Sequence, residues 1–299
     1  MSDLKFPQPG WLTPYGALPV PRMTPELLGL IHTGQVFSLG LPLFEGIPVP
    51  TPMVPFTLTP RIRHGDLTSI TPASAAAETI TMPIHAATHI DALCHIGEHQ
   101  NSAGEAQSGG EVRLYAGPGQ TVAAAKMVDH KGQHHLDASA MIPILLRGIL
   151  LDVAGSKGLD VLPDSYEVTA SDVRQTLEWG KIAVCPGTAV LVRTGFYRHF
   201  LAGSPAYQVA IAGLGLEAAQ FLVEAGMILA GADNMTVEAM PSQGHPVHRY
   251  LIVHNGIPLV ENIYLEQLAE MRVFEFLLMI SPLRIQGATG SWVNPIAII

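Results

Sequence analysis

Charge is scarce in this chain of 299 residues: only 14% are Asp, Glu, Lys or Arg, against about 25% in an ordinary soluble domain. Something other than charge must cover much of the surface, and a partner subunit is the expectation. Sixteen basic residues against 25 acidic ones leave a net charge of −9. No Lys/Arg cluster is present, which argues against a nucleic-acid binder or a ligand of anionic membranes. Cysteine is nearly missing. Cys94 and Cys185 make neither a disulfide framework nor a cysteine-based zinc site, which fits a reducing compartment. No stretch reaches the about 18 consecutive apolar residues of a membrane helix; the run 141–155 is broken by Arg147. The first residues lack the apolar segment of a signal peptide. The expectation is a soluble, cytoplasmic protein with no nucleic-acid or membrane partner. Aromatics are few, at 6%. That leaves Trp11, Phe37, Phe44, Phe56, Phe196 and Tyr197 as candidate pocket walls, with ordinary packing as the plainer role for each.

What the chain does have is a 48% apolar share, ample for a large core and incompatible with disorder. The first sixty residues are rich in Pro and Gly, and Pro42, Pro48, Pro50, Pro52, Pro55 and Pro60 rule out helix there. Extended arms follow, with a short strand near 36–39. Segments 78–90, 148–153, 182–193, 227–230, 257–260, 273–280 and 283–285 read as strands from their β-branched, apolar character. The stretch 100–119 reads as a Gly-rich surface loop. A helix begins after Thr169 or Ser171, with Asp172 at its positive end and Gly180 as its stop. Helices also fit 216–225, closed by Gly226, and Pro246 to about His254, closed by Gly256. These elements predict one α/β domain over 1–299, with an extended N-terminal arm of about 60 residues and a mixed sheet.

Thirteen histidines against 16 Lys and Arg are the compositional oddity, and three of them fall in His85-Ala-Ala-Thr-His89-Ile-Asp91-Ala-Leu-Cys-His95. Neutral imidazole nitrogen and carboxylate oxygen are the donors that hold Zn²⁺ or Mn²⁺. The spacings of 4, 2 and 4 are all even, so on a strand all four side chains share a face. A helix would split them. Thr88 reads equally as a residue that orients a ligand or as ordinary strand filler. Burying four such groups with no cation leaves polar atoms without partners, at roughly 1–3 kcal/mol each. A second cluster, His245, His248, His254 and Glu261, is weaker alone. His245 and His254 read as solvated. Glu261 follows the apolar run Gly-Ile-Pro-Leu-Val, where a carboxylate is costly to bury unpaired. Cys94 reads as buried filler, His134 and His135 as surface residues, and Gly287–Gly290 as a tight turn in preference to an oxyanion site. There is no His-Glu-x-x-His, Gly-x-Ser-x-Gly or phosphate-binding Gly-rich loop, and Gly213-Leu-Gly215 lacks the third glycine of a dinucleotide signature.

The first cluster resembles the signature of the metal-dependent cyclase-like hydrolases, His-x-Gly-Thr-His-x-Asp-x-Pro-x-His, a family that includes bacterial kynurenine formamidases and isatin hydrolases. Leu-Val-Arg-Thr-Gly at 191–195, Gly-Ala-Asp-Asn-Met-Thr-Val-Glu at 231–238, the stretch 248–262 and the stretch 283–296 resemble it too. Ala87 and Leu93 depart from the family's Gly and Pro. The resemblance implies a compact β/β/α fold around a barrel-like central sheet, usually assembled as a homodimer or homotetramer. It implies His85, His89 and Asp91 as ligands of one or two divalent ions, Mn or Zn. It places His95, His248 and Glu261 at positions that complete a second metal site or do acid–base catalysis. The implied activity is hydrolysis of a small cyclic amide, lactone or N-formyl amide by metal-activated water, with a non-peptide C–N bond, as in the amides, the bond expected to break. Two alternatives stay open: a metal-dependent lyase or cyclase acting on a small carboxylic or carbohydrate acid, and a metal-binding protein without catalysis.

Overall fold

Apolar runs without polar alternation make strands that must be covered on both faces, and the second half of the chain has several. In the computed structural model, which describes residues 14–50, 52–204 and 206–299, they form the parallel centre of a nine-stranded sheet. Trp11 lies outside the described residues. In chain order the strands that matter are β1 (Val36–Ser38), β2 (Thr57–Ile62), β3 (Ala77–Thr81), β4 (His89–Asp91), β5 (Ile144–Asp152), β6 (Thr188–Arg193), β7 (Met227–Ala232), β8 (Leu259–Glu261), β9 (Glu275–Ile280), β10 (Gly290–Trp292) and β11 (Ile296–Ile298). The sheet order is β1-β11-β9-β5-β6-β7-β8-β4-β10. From β5 to β8 neighbours run parallel. The flanking pairs are antiparallel. The mixed α/β class and curled, half-barrel sheet agree with the sequence reading.

The helices Ala170–Gly180 and Leu216–Glu224 lie in the crossovers before β6 and β7. The first is capped as its sequence indicates. Thr169 accepts from the Asp172 N–H, and the Asp172 carboxylate accepts from the Thr169 N–H. Every residue of β6 is buried. Gly148 on β5 permits a close approach: a Cβ there would meet the Phe276 ring at 2.3 Å.

Several sequence expectations need correction, the first being that the opening sixty residues hold no helix: Pro25–Leu28 forms one short turn of helix. The strand expected over 78–90 is two strands, β3 and β4, separated by a turn around Pro83 and a left-handed Ala87 at φ 53. The expected loop 100–119 is a loop only through 110: Glu98–Gln100, Glu111–Gly117 and Gln120–Ala123 form a three-stranded antiparallel sheet. The run 182–193 is interrupted near Pro186-Gly187 as expected and is strand only from Thr188, while 283–285 forms no strand. The last expected helix starts at Pro246 but continues from Arg249 to His254 as a π-type turn, and a further helix, Glu266–Glu270, follows it.

Two pairings position the site. β4 lies between β8 and β10, with Glu261 opposite His89 and Gly290 opposite Asp91. Thr88 pins the start of β4: its buried hydroxyl donates to the Asn262 carbonyl and accepts from the Leu41 N–H. It therefore orients the backbone and bonds to no candidate ligand. Replacing Thr88 by the isosteric Val strands both partners. The expected loss is about 2 kcal/mol, readable as a lower denaturation midpoint in urea at unchanged slope.

Candidate metal centre

The six residues singled out by the sequence, His85, His89, Asp91, His95, His248 and Glu261, meet at one end of β4 and β8. Only His89 and Asp91 owe this to the strand period. His85 arrives from the turn before β4 and His95 from the turn after it. Glu261 comes from β8, across the sheet from His89. The β7–β8 crossover delivers His248 on the helix opened by Pro246.

Both departures from the family pattern have a local account. Ala87 is left-handed, which suits Gly and costs an L-residue roughly 1–2 kcal/mol. Its carbonyl accepts from both His89 Nδ1 and Asn262 Nδ2, each at 2.9 Å, so the strained residue is held from two sides. Leu93 has the N–H that proline lacks, and this N–H donates to the Tyr15 hydroxyl at 3.0 Å. The turn to His95 closes with a bond from its N–H to the Ala92 carbonyl.

The donor atoms fall into two distance classes. His85 makes hydrogen bonds: its Nδ1 donates to Asp91 Oδ1 at 2.8 Å, and its Nε2 lies 2.8 Å from the Thr289 hydroxyl. Its ring stacks on His95 at 3.8 Å, and Gly290 leaves room for it, since a Cβ there would meet His85 Cε1 at 2.9 Å. His89 and Glu261 behave differently. His89 Nδ1 is committed to the Ala87 carbonyl, which turns the Nε2 lone pair inward. Nε2 lies 3.4 Å from Asp91 Oδ1 and 3.3 Å from Glu261 Oε2, and His248 Nε2 lies 3.3 Å from Glu261 Oε1 and 4.0 Å from Asp91 Oδ2. Buried His89 Nε2, Asp91 Oδ2 and Glu261 Oε1 have no hydrogen-bond partner. Donors about 2.0–2.1 Å from a tetrahedral cation lie about 3.3–3.4 Å from one another. The residues therefore fit a divalent cation by spacing, by unmet demand and by their nitrogen–oxygen chemistry.

Charge agrees. Burial pulls His89 and His248 down, yet adjacent carboxylates outweigh it and raise each to about 10, Asp91 and Glu261 for His89, Glu238 and Glu261 for His248. Burial alone would push Asp91 up, but the surrounding imidazoles of His95, His85 and His89 hold it well below the usual carboxylate range. Without a cation the site thus gathers protons, and a divalent cation substitutes for two of them at equal charge. His95 differs: burial, aided by neighbouring imidazoles, pushes it down to about 3, so its ring stays neutral.

Three residues escaped the sequence reading. Glu238 accepts from His248 Nδ1 at 2.6 Å and from His245 Nδ1 at 2.8 Å. It fixes the tautomer that points His248 Nε2 at Asp91 and Glu261, as outer carboxylates commonly do. Thr289 touches His85. Tyr207 is buried, and its hydroxyl has no partner. Burial pushes that hydroxyl up, as do the charges of Glu261 and Asp233 nearby. Glu238 sits in the stretch 231–238, but its histidine partners become visible only once the crossover folds back. Of the remaining histidines, His245 is part of the Glu238 cluster, and His254 pairs with Glu98 at 3.1 Å. Cys94 is buried, and burial raises its thiol to about 12, which suits filler. The Gly287 and Ala288 amides donate to Asp137 and the Ile285 carbonyl, as a turn requires.

The Cyclase family model matches residues 35–239. A crystal structure described as a novel cyclase is similar to this chain with a TM-score of 0.79 at 28% identity, covering 93% of this chain and 94% of that one. An isatin hydrolase bound to the product analogue thioisatinate gives 0.60 at 15% identity, covering 93% and 99%. Isatin hydrolase A from Ralstonia solanacearum gives 0.59 at 19%, covering 93% and 97%. At those identities the last two show a shared fold. No curated protein matches the chain.

Burial alone would raise Glu238, but hydrogen bonds from His245 and His248 bring it from 4.5 down to about 2. A carboxylate held below its ordinary value contributes stability above that value and loses it as pH falls through the folded one. The expected contribution is roughly 3 kcal/mol at neutral pH, lost between about pH 4.5 and 2. Chemical denaturation across that window should show a steep fall in the native protein and a flatter one in Glu238→Gln.

Proposed function

The chain belongs to the Cyclase family, whose model spans residues 35–239 of it, and from that premise we propose that it is a metal-dependent hydrolase opening a small cyclic amide, lactone or N-formyl amide. The observation that carries this reading is that His89, Asp91 and Glu261 each have a buried atom without a partner, and that Asp91 Oδ1 and Glu261 Oε2 lie 3.4 and 3.3 Å from His89 Nε2, the spacing of ligands around one cation. In this reading His85, His89 and Asp91 hold one Zn or Mn ion. For His85 this means exchanging its Asp91 hydrogen bond for the cation. Glu261 shares that ion or joins His95 and His248 around a second. When bound, the cation would acidify a water and polarise the substrate carbonyl.

The chain's own residues do the rest. His248 has its Nδ1 proton committed to Glu238 and its Nε2 facing the reacting groups. With its Nε2 proton displaced on cation binding, it is the better-placed acceptor for the proton of the attacking water, and the donor to the departing nitrogen or oxygen. His95 stays neutral, which suits a lone pair offered to an ion or a hydrogen bond to substrate. Tyr207 has a hydroxyl to donate and no internal partner, so it suits the substrate's oxygen. An open groove of about 470 Å³ reaches Thr88, next to His89, and its walls include Leu41, Met82, Trp292 and Asn294. That volume and its largely apolar walls favour a small ring over a polymer.

The test is an assay with added Mn²⁺ or Zn²⁺ against isatin-like lactams, N-formyl anilines, lactones and cyclic imides. One class should be hydrolysed, and turnover of none would remove the hydrolase reading. His89→Ala should lose both the bound cation and activity, by more than the roughly 100-fold cost of removing an outer partner. His95→Ala should keep a cation and lose rate. Retained turnover in His89→Ala refutes the ligand assignment.

Tyr207→Phe separates a substrate contact from packing. Deleting a buried, unpaired hydroxyl leaves stability equal or higher. Activity should nevertheless fall about 10-fold, seen as a lower kcat/KM at an unchanged or raised denaturation midpoint.

A further inference from the structure

Glu238 serves two imidazoles, and only one of them belongs to the metal centre. His248 Nδ1 and His245 Nδ1 both donate to Glu238 Oε1, at 2.6 and 2.8 Å, while Glu238 Oε2 accepts from the Val247 N–H. Orienting His248 needs one carboxylate; a second ring on the same oxygen adds nothing to that task. The chain brings the two rings together locally. His245 and His248 are three residues apart and flank Pro246, where the helix opens, so both rings fall on the side that meets Glu238. Their centroids lie 5.2 Å apart with the planes at 76°. One ligand atom from each of the three residues lies within 4.8 Å of the others. Glu238 and His248 are buried, but the His245 side chain is 44% exposed. The cluster is therefore reached from solvent past His245, whereas the metal centre meets the opposite nitrogen of His248, Nε2.

We propose that Glu238, His245 and His248 Nδ1 form an outer, inhibitory site for a zinc ion, sharing only the His248 ring with the inner centre. Two imidazoles and one carboxylate, with the remaining position open to water, are a donor set that zinc takes. Imidazole donors favour zinc, copper or nickel over magnesium and calcium. Filling the site asks for little motion. Donors around a tetrahedral cation sit about 3.3–3.4 Å apart, so the Glu238–imidazole distances open by roughly half an ångström, which the half-exposed His245 ring can supply. The ion takes the place of the Nδ1 hydrogens. A neutral imidazole holds one proton. With Nδ1 on the ion, the His248 proton sits on Nε2 and closes the lone pair that would accept from the attacking water. The outer ion thus takes His248 out of use when zinc exceeds what the inner centre holds. Binding at the outer site does not rest on the hydrolase reading; the loss of turnover does.

Equilibrium dialysis of the full-length protein against zinc alone tests the site. With zinc in excess, the native chain should hold one ion more than His245→Ala, while the tighter ions stay equal in number. His245→Asp keeps a donor at that position and should restore the extra ion. Urea midpoints of both variants, expected to match the native one, guard against a loss caused by misfolding. Equal zinc counts in the native chain and His245→Ala overturn the site, whether or not a substrate is known. So does a failure of His245→Asp to bind the extra ion. With a hydrolysed substrate in hand, excess zinc should slow the native protein by roughly 100-fold or more, the scale of a lost general base, and leave His245→Ala at its own low-zinc rate. Turnover that excess zinc leaves unchanged, or lowers equally in both proteins, overturns the inhibition.

Discussion

Two buried carboxylates facing two buried imidazoles, with atoms of His89, Asp91 and Glu261 left without hydrogen bonds, set the terms for the rest of this molecule. Asp91, Glu261, His89 and His248 would relax into ordinary hydrogen-bonded pairs if the backbone let them. The sheet does not. Glu261 and His89 are register partners on antiparallel strands, and Asp91 is locked opposite Gly290. Glu238 and the Ala87 carbonyl take the outer nitrogens of the two rings. A densely packed parallel centre behind them makes collapse expensive, since moving β4 or β8 means moving β7 and β10 as well. The unmet polar demand is thus a property of the frame, and a divalent cation is the partner that meets it at no change in net charge.

Much of this was legible in the sequence because the chemistry is local. His85, His89, Asp91 and His95 lie within eleven residues, and their even spacing suggested convergence. Convergence is real, but the expected cause was partly wrong. A single strand does not carry all four; turns bring in the outer two. Ala87 explains the miss, since a left-handed residue is easy to suspect at Gly and invisible at Ala. Glu261 was readable by cost, as a carboxylate after an apolar run. Glu238, Thr289 and Tyr207 were not, because their relevance comes from contacts across long separations. The stretch 100–119 misled for the opposite reason: its Gly and polar residues look like a loop, yet its second half, Glu111–Gly117, is the middle strand of a small sheet.

The departures at positions 87 and 93 show how a site tolerates change in its backbone residues while its donors stay put. At 87 the conformation is kept and the side chain is strained into it, with His89 and Asn262 both bonding to the carbonyl. At 93 the turn is kept and an extra N–H appears, which Tyr15 receives. The Tyr15 hydroxyl donates in turn to the Leu136 carbonyl, so one hydroxyl joins three distant stretches of chain beside the metal centre.

The nine-stranded sheet places β11 between β1 and β9, with Val36 paired to Ile298. During synthesis β1 therefore waits for a partner made some 260 residues later. At about 5–20 residues per second, that is a delay of roughly 13 to 52 s. Throughout it the nascent chain carries an unzipped edge beside an unusually uncharged surface. Folding of the sheet is consequently completed only after the ribosome has passed residue 298.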